Sequence, residues 1–206
     1  MRYLRAVTPT HSVSFFDAQF RRQAGDAALA LNPFELLALP YLHGEVLDFG
    51  CGLGNLAFAA ARQGCTVTAL DASAAAIEHV RARAAREGAA VHGLRADLRA
   101  HTLDADYDAV ASIGLLMFFD CPVARRVLAQ LQAHVRPGGV AIVNVLVEGT
   151  TYLEMFDLSA HCLFGADELR ARFAGWQIER CEAAEFAAPN DTHKRFCTII
   201  ARKPRS

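Results

Sequence analysis

Between residues 48 and 55 the chain reads Asp48-Phe49-Gly50-Cys51-Gly52-Leu53-Gly54-Asn55, with three glycines at alternate positions behind an acid. Glycines so spaced let a ligand come close to the backbone. A helix opening at Asn55 would offer its first N–H groups to a phosphate or a carboxylate. Two further acids follow, Asp71 and Asp97, each after a short β-branched or apolar run. A carboxylate such as Asp71 can accept both hydroxyls of a ribose, which points to an adenosine-type ligand. The dinucleotide fingerprint G-x-G-x-x-G would need glycine at 55, where the chain has Asn55. Asp48 would also set a negative charge beside a pyrophosphate. Both features weigh against a nicotinamide dinucleotide and towards a ligand bearing an amine beside a carboxylate.

The elements that must position these residues alternate between strands and helices. Val46–Phe49, Thr66–Leu70, Val91–Arg95, Tyr107–Ile113 and Val140–Leu146 read as strands, the last two as apolar runs buried on both faces. Helices are expected over Asn55–Gln63 with Asn55 as N-cap, from Ser73 to Gly88, and over Val123–Val135. In the second of these Ala76, Ile77, Val80 and Ala84 face the core, and Glu78, Arg81, Arg83 and Arg86 face out. Arg136-Pro137-Gly138-Gly139 reads as a turn, Ala166–Phe173 as a short helix, and Trp176–Ala184 with Lys194–Arg202 as an antiparallel hairpin. The fold class is therefore α/β, a doubly wound, mostly parallel sheet with an antiparallel C-terminal hairpin. Residues 1–206 form a single domain: a helical cap or lid over 1–43 with an aromatic face, a cofactor-binding half over 44–148, and a substrate-side segment with the hairpin over 149–206.

Composition narrows the function classes. The chain has 206 residues, 53% hydrophobic and 21% charged, enough for a large core. A net charge of -1 argues against a fold built to hold nucleic acid or an anionic membrane. No apolar run approaches the ~18 residues of a membrane span, and the N-terminus lacks a signal-peptide core. A cytoplasmic location is expected. The six cysteines, Cys51, Cys65, Cys121, Cys162, Cys181 and Cys197, contain no C-x-x-C pair. They are expected as free, mostly buried thiols, with Cys51 a small core side chain rather than a nucleophile. His101, His134 and His161 have no metal-ligand spacing, so no metal site is expected.

Taken together, these stretches resemble the class I S-adenosylmethionine-dependent methyltransferases. Val46 to Gly54 matches the family's first motif, and Asp71, Ala96-Asp97-Leu98, Tyr107-Asp108-Ala109-Val110 and Arg136-Pro137-Gly138-Gly139 match the later ones in order. The resemblance implies that Asp48 and the backbone of Gly50, Cys51, Gly52, Gly54 and Asn55 hold the methionine part of the cofactor. It implies Asp71 on the ribose, Ala72 beside the adenine, Asp97 and the Leu98 N–H on the adenine edge, and the Ile113 backbone facing the cofactor amine. Leu163 to Leu169, Trp176 and Arg195 to Lys203 are similar to the C-terminal half of the tellurite-resistance (TehB-type) methyltransferases, though the segment before Arg195 is shorter. That likeness implies transfer of a methyl group from S-adenosyl-L-methionine, leaving S-adenosyl-L-homocysteine, to a small molecule such as a tellurium or selenium oxyanion. Substrate-side candidates are Phe16, Arg21, Tyr152, His193 and Arg195, an arginine being suited to an oxyanion. The protein is expected as a monomer or homodimer. The other classes kept open are a catalytically silent S-adenosylmethionine-binding sensor or partner module and a nicotinamide-dependent oxidoreductase.

Overall fold

A computed structural model describes residues 30–157, 160–165 and 167–205. The strands are β1 (Glu45–Phe49), β2 (Thr66–Asp71), β3 (Val91–Arg95), β4 (Tyr107–Ile113), β5 (Val135–Leu146), β6 (Gln177–Ala188) and β7 (Thr192–Arg202). The helices are α1 (Pro33–Ala38), α2 (Asn55–Arg62), α3 (Ala74–Glu87), α4 (Cys121–Ala133) and the single turn α5 (Glu168–Ala171). One sheet runs β3-β2-β1-β4-β5-β7-β6. β1 to β5 are parallel, and β7 joins β5 antiparallel, with β6 on the edge. The order reverses between β1 and β4, so both chain directions leave a crevice at the carboxyl ends of these two strands. That is where open α/β sheets take their ligands.

Each face of the sheet buries one layer. Val46, Val67, Ala109 and Ile142 pack against α2 and α3 through Leu56, Phe58, Ile77 and Val80. On the other face Leu47, Val110, Val143 and Ile199 pack against α4 through Val127, Leu128 and Leu131. Alternate residues of each strand thus serve opposite layers, as the pleat requires.

Several expectations shift at the level of single residues. Gly54 takes the N-cap of α2 in the left-handed region, and Asn55 becomes the first helical residue. Ser73 and Gly88 cap α3 as expected, with Ser73 Oγ accepting from the Ala76 N–H at 3.1 Å. Arg83 does not face out. It is buried, with its guanidinium 4.0 Å over the Phe58 ring and its Nε donating to Glu87 at 2.7 Å. A cation sealed between two helices by a ring and a carboxylate keeps its charge compensated while its stem fills space. β5 begins at Val135, so Pro137 and Gly138 are carried within a strand whose register against β4 shifts between Tyr107 and Ala109. A Cβ on Gly139 would lie 2.7 Å from the Asp108 carbonyl, so the irregularity needs its glycine.

The expectation that all cysteines are free fails for two of them. Cys121 at the start of α4 is disulfide-bonded to Cys162, across a sequence separation of 41 residues. The two sit far apart in sequence, with no motif to pair them, and folding brings their Cα atoms to 4.7 Å. Cys51, Cys65 and Cys197 are free and buried, and Cys181 is free and exposed.

Candidate functional site

The carboxyl edge of β1 leads straight into the glycine turn. Gly50, Gly52 and Gly54 all have φ in the left-handed region. At Gly50 a Cβ would come within 2.8 Å of the Leu115 side chain, so the turn is pressed against the loop after β4. The turn is tied to β2 by the N–H groups of Gly50 and Cys51, which donate to the Leu70 carbonyl at 2.8 and 3.0 Å.

Asp71 ends β2 beside that turn. Its Oδ2 accepts from the Gly52 N–H at 2.9 Å and its Oδ1 from the Ser73 N–H at 2.8 Å. These bonds fix the carboxylate beside the turn, and a carboxylate oxygen can accept more than one hydrogen bond. Ala72 is half-buried, and its carbonyl accepts from Arg95 Nε at 3.2 Å. Asp97 is exposed after β3, with Oδ1 accepting from the Arg99 N–H at 3.1 Å, and Leu98 beside it is buried. Ile113 is half-buried at the end of β4.

Asp48 differs from the others. It is 5% exposed, and its Oδ2 has no hydrogen-bond partner. Burial, with the Glu35 and Asp71 charges nearby, pushes its pKa up to about 8, against a partial offset from the Ala57 N–H of α2. The same surroundings push the Cys51 thiol well above its ordinary value, which leaves it protonated and unreactive. Sequence reasoning missed Glu35. It belongs to a capping box in which Asn32 Oδ1 accepts from the Glu35 N–H at 3.0 Å and Glu35 Oε2 accepts from the Asn32 N–H at 2.8 Å. The run Asn32-Pro33-Phe34-Glu35 carried that signal in its N-x-x-E spacing.

On the substrate side, Phe16 and Arg21 lie outside the described residues. Tyr152 follows β5, with Lys194 Nζ 4.7 Å above its ring. His193 is held by its backbone, its N–H donating to Thr151 Oγ1 at 2.9 Å. Arg195 pairs with Glu185 at 3.4 Å and fills the space beside Gly149. Alternation along β7 puts His193 and Arg195 on the face of Cys197 and Ile199, the α4 side. Lys194 falls on the opposite face with Phe196 and Ile200, the side of Asp48 and Val46. There the hairpin runs past the end of β5, and Phe34, Phe186 and Phe196 form a ring cluster with centroids 4.8 to 5.9 Å apart. Phe118, Phe156 and His161 extend the wall, Phe156 stacking on His161 at 5.1 Å. A buried polar pair completes this face, with Asn144 Nδ2 donating to Thr198 Oγ1 at 2.9 Å. A polar residue inside the apolar run of β5 was the sequence signal for Asn144.

The donor set suits an amino-acid nucleoside. An orphaned buried carboxylate oxygen, a glycine turn with no room for side chains, and an anchored acid at the next strand end can take its ammonium, its chain and its ribose diol. Comparison with known proteins agrees. Residues 46–139 match the family model described as a methyltransferase domain. Hemagglutinin 1 of Eikenella corrodens is 31% identical over 166 residues, covering 78% of this chain and 55% of that protein. The chain spans about half or less of the length of the curated relatives it matches. Among solved structures, TehB from Haemophilus influenzae superposes with a TM-score of 0.74 at 18% identity, over 93% of this chain and 67% of that one. A protein solved in work on the conversion of a disulfide bond into a thioacetal group during echinomycin biosynthesis is 27% identical, with a TM-score of 0.67 and 94% of each chain covered. Residues 46–139 thus match a methyltransferase domain, and the chain shares its fold with TehB and with a solved S-adenosylmethionine-dependent methyltransferase of Methanosarcina mazei.

Proposed function

We propose that the chain transfers the methyl group of S-adenosylmethionine to a small, soft or anionic acceptor, a tellurium or selenium oxyanion being the first class to test. The observation that carries the reading is the acid at the end of each of β1 and β2 with the glycine turn between them. The cofactor supplies an electrophilic methyl on a sulfonium: the acceptor–methyl bond forms as the sulfur–methyl bond breaks, and the electron pair returns to sulfur. Asp71 holds the ribose diol. Asp48 and the backbone from Gly50 to Asn55 hold the methionine part. Ala72, Asp97 and the Leu98 N–H line the adenine, and the Ile113 backbone faces the amine. Holding a nucleophile ~3–3.5 Å from the methyl supplies several kcal/mol by alignment alone. An oxyanion or thiolate carries its own charge, so a strong general base is not required. Lys194 supplies a cation on the cofactor face of β7. Of the cap expected over residues 1–43, residues 1–29 lie outside the described residues; residues 30–43 serve this role, supported by Phe34 packing on the hairpin and by Asn55 Nδ2 donating to the Ala30 carbonyl at 3.5 Å.

The partly exposed rings of Phe34, Phe186 and Phe196 favour a second acceptor class, an apolar thiol, which such rings would bind by burial. A thermal melt with S-adenosylhomocysteine, with NAD as control, tests the cofactor site. At ~100 times the dissociation constant the shift corresponds to about 2.7 kcal/mol. Release of S-adenosylhomocysteine from S-adenosylmethionine with tellurite, selenite and benzenethiol then tests the acceptor. Turnover with the oxyanions supports the first class, and turnover with the thiol alone replaces it by the second. Cofactor binding with no turnover on any acceptor would favour a silent binding module.

A further inference from the structure

Glu35 is the acid that the cofactor reading leaves unused. Its helix is fixed over the glycine turn by three contacts from different residues. Ala38 and Leu42 pack into the cluster of Cys51, Leu56 and Ala57. Phe34 packs on Phe196 with ring centroids at 4.8 Å. Ala30, just before the helix, accepts from the Asn55 side chain at the start of α2. The capping box then holds the Glu35 carboxyl in place through the Asn32 N–H. Burial pushes its pKa up, and its charge is the strongest of those acting on Asp48.

We propose that Glu35 is a second carboxylate for the ammonium of the cofactor, acting with Asp48 across the glycine turn, so that cofactor binding is coupled to proton release. This rests on the cofactor site described above. Asp48 Oδ2, buried and without a hydrogen-bond partner in the protein, is the atom that a ligand ammonium would meet. Every group that acts on Asp48 among the described residues is an acid, Glu35 from α1 and Asp71 from the end of β2, or the Ala57 N–H of α2. No basic side chain among the described residues pairs with Glu35 or Asp48, so a ligand ammonium meets no competitor there. Two carboxylates that feel each other's charge beside a buried turn cannot both ionise cheaply without a cation. Without ligand the pair holds a proton near neutral pH. An arriving ammonium favours the doubly ionised form and expels that proton to solvent. The consequence is an affinity that rises with pH. Over pH 6 to 8 the slope approaches roughly tenfold per unit, one proton per ligand, and it flattens above pH 8.

Calorimetry separates the parts of this proposal. Titrating S-adenosylhomocysteine in buffers of different ionisation enthalpy at pH 7 should report release of close to one proton. 5′-Methylthioadenosine lacks the ammonium and carboxylate, and it should bind with no proton release and no pH slope. Glu35→Gln is the decisive variant, because glutamine still accepts the N-cap N–H and keeps the capping box. At pH 8.5, where Asp48 is ionised with or without Glu35, the variant should bind S-adenosylhomocysteine about tenfold more weakly, a loss of about 1.4 kcal/mol. Its affinity for 5′-methylthioadenosine should stay within a factor of two, and its pH slope below 8 should flatten. Equal weakening of both ligands would assign Glu35 a merely structural role and overturn the proposal. So would unchanged S-adenosylhomocysteine affinity in a folded variant. Failure of the unaltered protein to bind either ligand would instead overturn the cofactor site itself, and this inference with it.

Discussion

The two ends of the sheet treat their acids in opposite ways. At the amino end Asp108 accepts from the Glu45 N–H at 2.8 Å and from Arg136 at 2.9 Å, and both hold its pKa below the ordinary carboxylate range. Arg136 also meets Glu45, and Lys203 Nζ donates to the carbonyls of Gln132, Ala133 and Val135, closing the end of α4. At the carboxyl end Asp48 is buried deeper than Asp108, has an oxygen without a partner, and is pushed up to about 8. Both acids sit on neighbouring central strands. The difference lies in what folding adds to an N–H at each: a cation at one end, two further acids at the other. An end that leaves buried charge uncompensated is less stable than it could be, and a cationic ligand can recover the difference.

The largest effect expected concerns how the carboxyl end is held shut. The Cys121–Cys162 bridge joins α4 to the segment that covers this end, where the Cys162 N–H donates to the Met117 carbonyl at 3.0 Å. Closing a loop of this length is worth about 3–4 kcal/mol on the chain-entropy model. Reduction should lower the melting temperature by ~6–16 °C for a domain of this size. The Cys121→Ser, Cys162→Ser double variant should match the reduced protein and be insensitive to reductant. A melting temperature unmoved by reduction would mean that this end is held by packing alone.

Asp71→Ala comes next. Ribose hydroxyls would lose a charged acceptor, and the Gly52 and Ser73 N–H groups would lose theirs. Hydrogen bonds to charged groups contribute roughly 1.5–3 kcal/mol each, so S-adenosylhomocysteine should bind about a hundredfold more weakly in calorimetry. Unchanged affinity would remove Asp71 from the site.

Asp48→Asn and Asp108→Asn sharpen the comparison, because they should move stability in opposite directions. For Asp48 the folded pKa, about 8, lies above the unfolded one. Between the two the folded state keeps a proton that the unfolded chain has shed, so stability falls as pH rises from ~4 to 8. Asp48→Asn should remove that slope and stabilise the ligand-free protein at pH 8, by an amount on the order of 1–3 kcal/mol. It should weaken S-adenosylhomocysteine at the same time. For Asp108 the folded pKa is depressed, so its contribution is present above the unfolded pKa and is lost as pH falls through the folded one. Asp108→Asn should cost about 1 kcal/mol at pH 7. Urea titrations at pH 5, 7 and 8 read both signs. Destabilisation by both variants at pH 8 would dissolve the contrast between the two ends.

Much of this architecture was legible in the sequence because its signals are local. The apolar runs of β4 and β5, the glycine turn and the caps of α3 each depend on neighbours within a few residues. The acids at the ends of β1 and β2 could be read for the same reason, since each directly follows its strand. What could not be read depends on distant partners. The Cys121–Cys162 bridge has no spacing rule behind it. Arg83 has the pattern of a surface residue, and only the arrival of Phe58 from another helix buries it. Glu35 had a local signal, but its meaning depends on α1 lying over the end of β1. The location, oligomeric state and acceptor have no local signature of this kind.

The smallest expected effect tests the pleat. Counting along β7 from Phe196 puts Lys194 on the face of Asp48 and Val46, while Arg195 points to the α4 side and pairs with Glu185. Arg195 is more than half exposed there, at 51%, so the pair contributes little in water. Arg195→Ala should leave cofactor affinity unchanged and alter stability by no more than the ~0.5 kcal/mol typical of surface sites. If an oxyanion is the acceptor, Lys194→Ala should raise its KM several-fold, and Arg195→Ala should not, because a residue and its neighbour on a strand face opposite layers. The reverse ranking, with Arg195 the sensitive position, would mean that the acceptor reaches the site from the α4 side, and the aromatic wall on the other face would then belong to packing rather than to the acceptor.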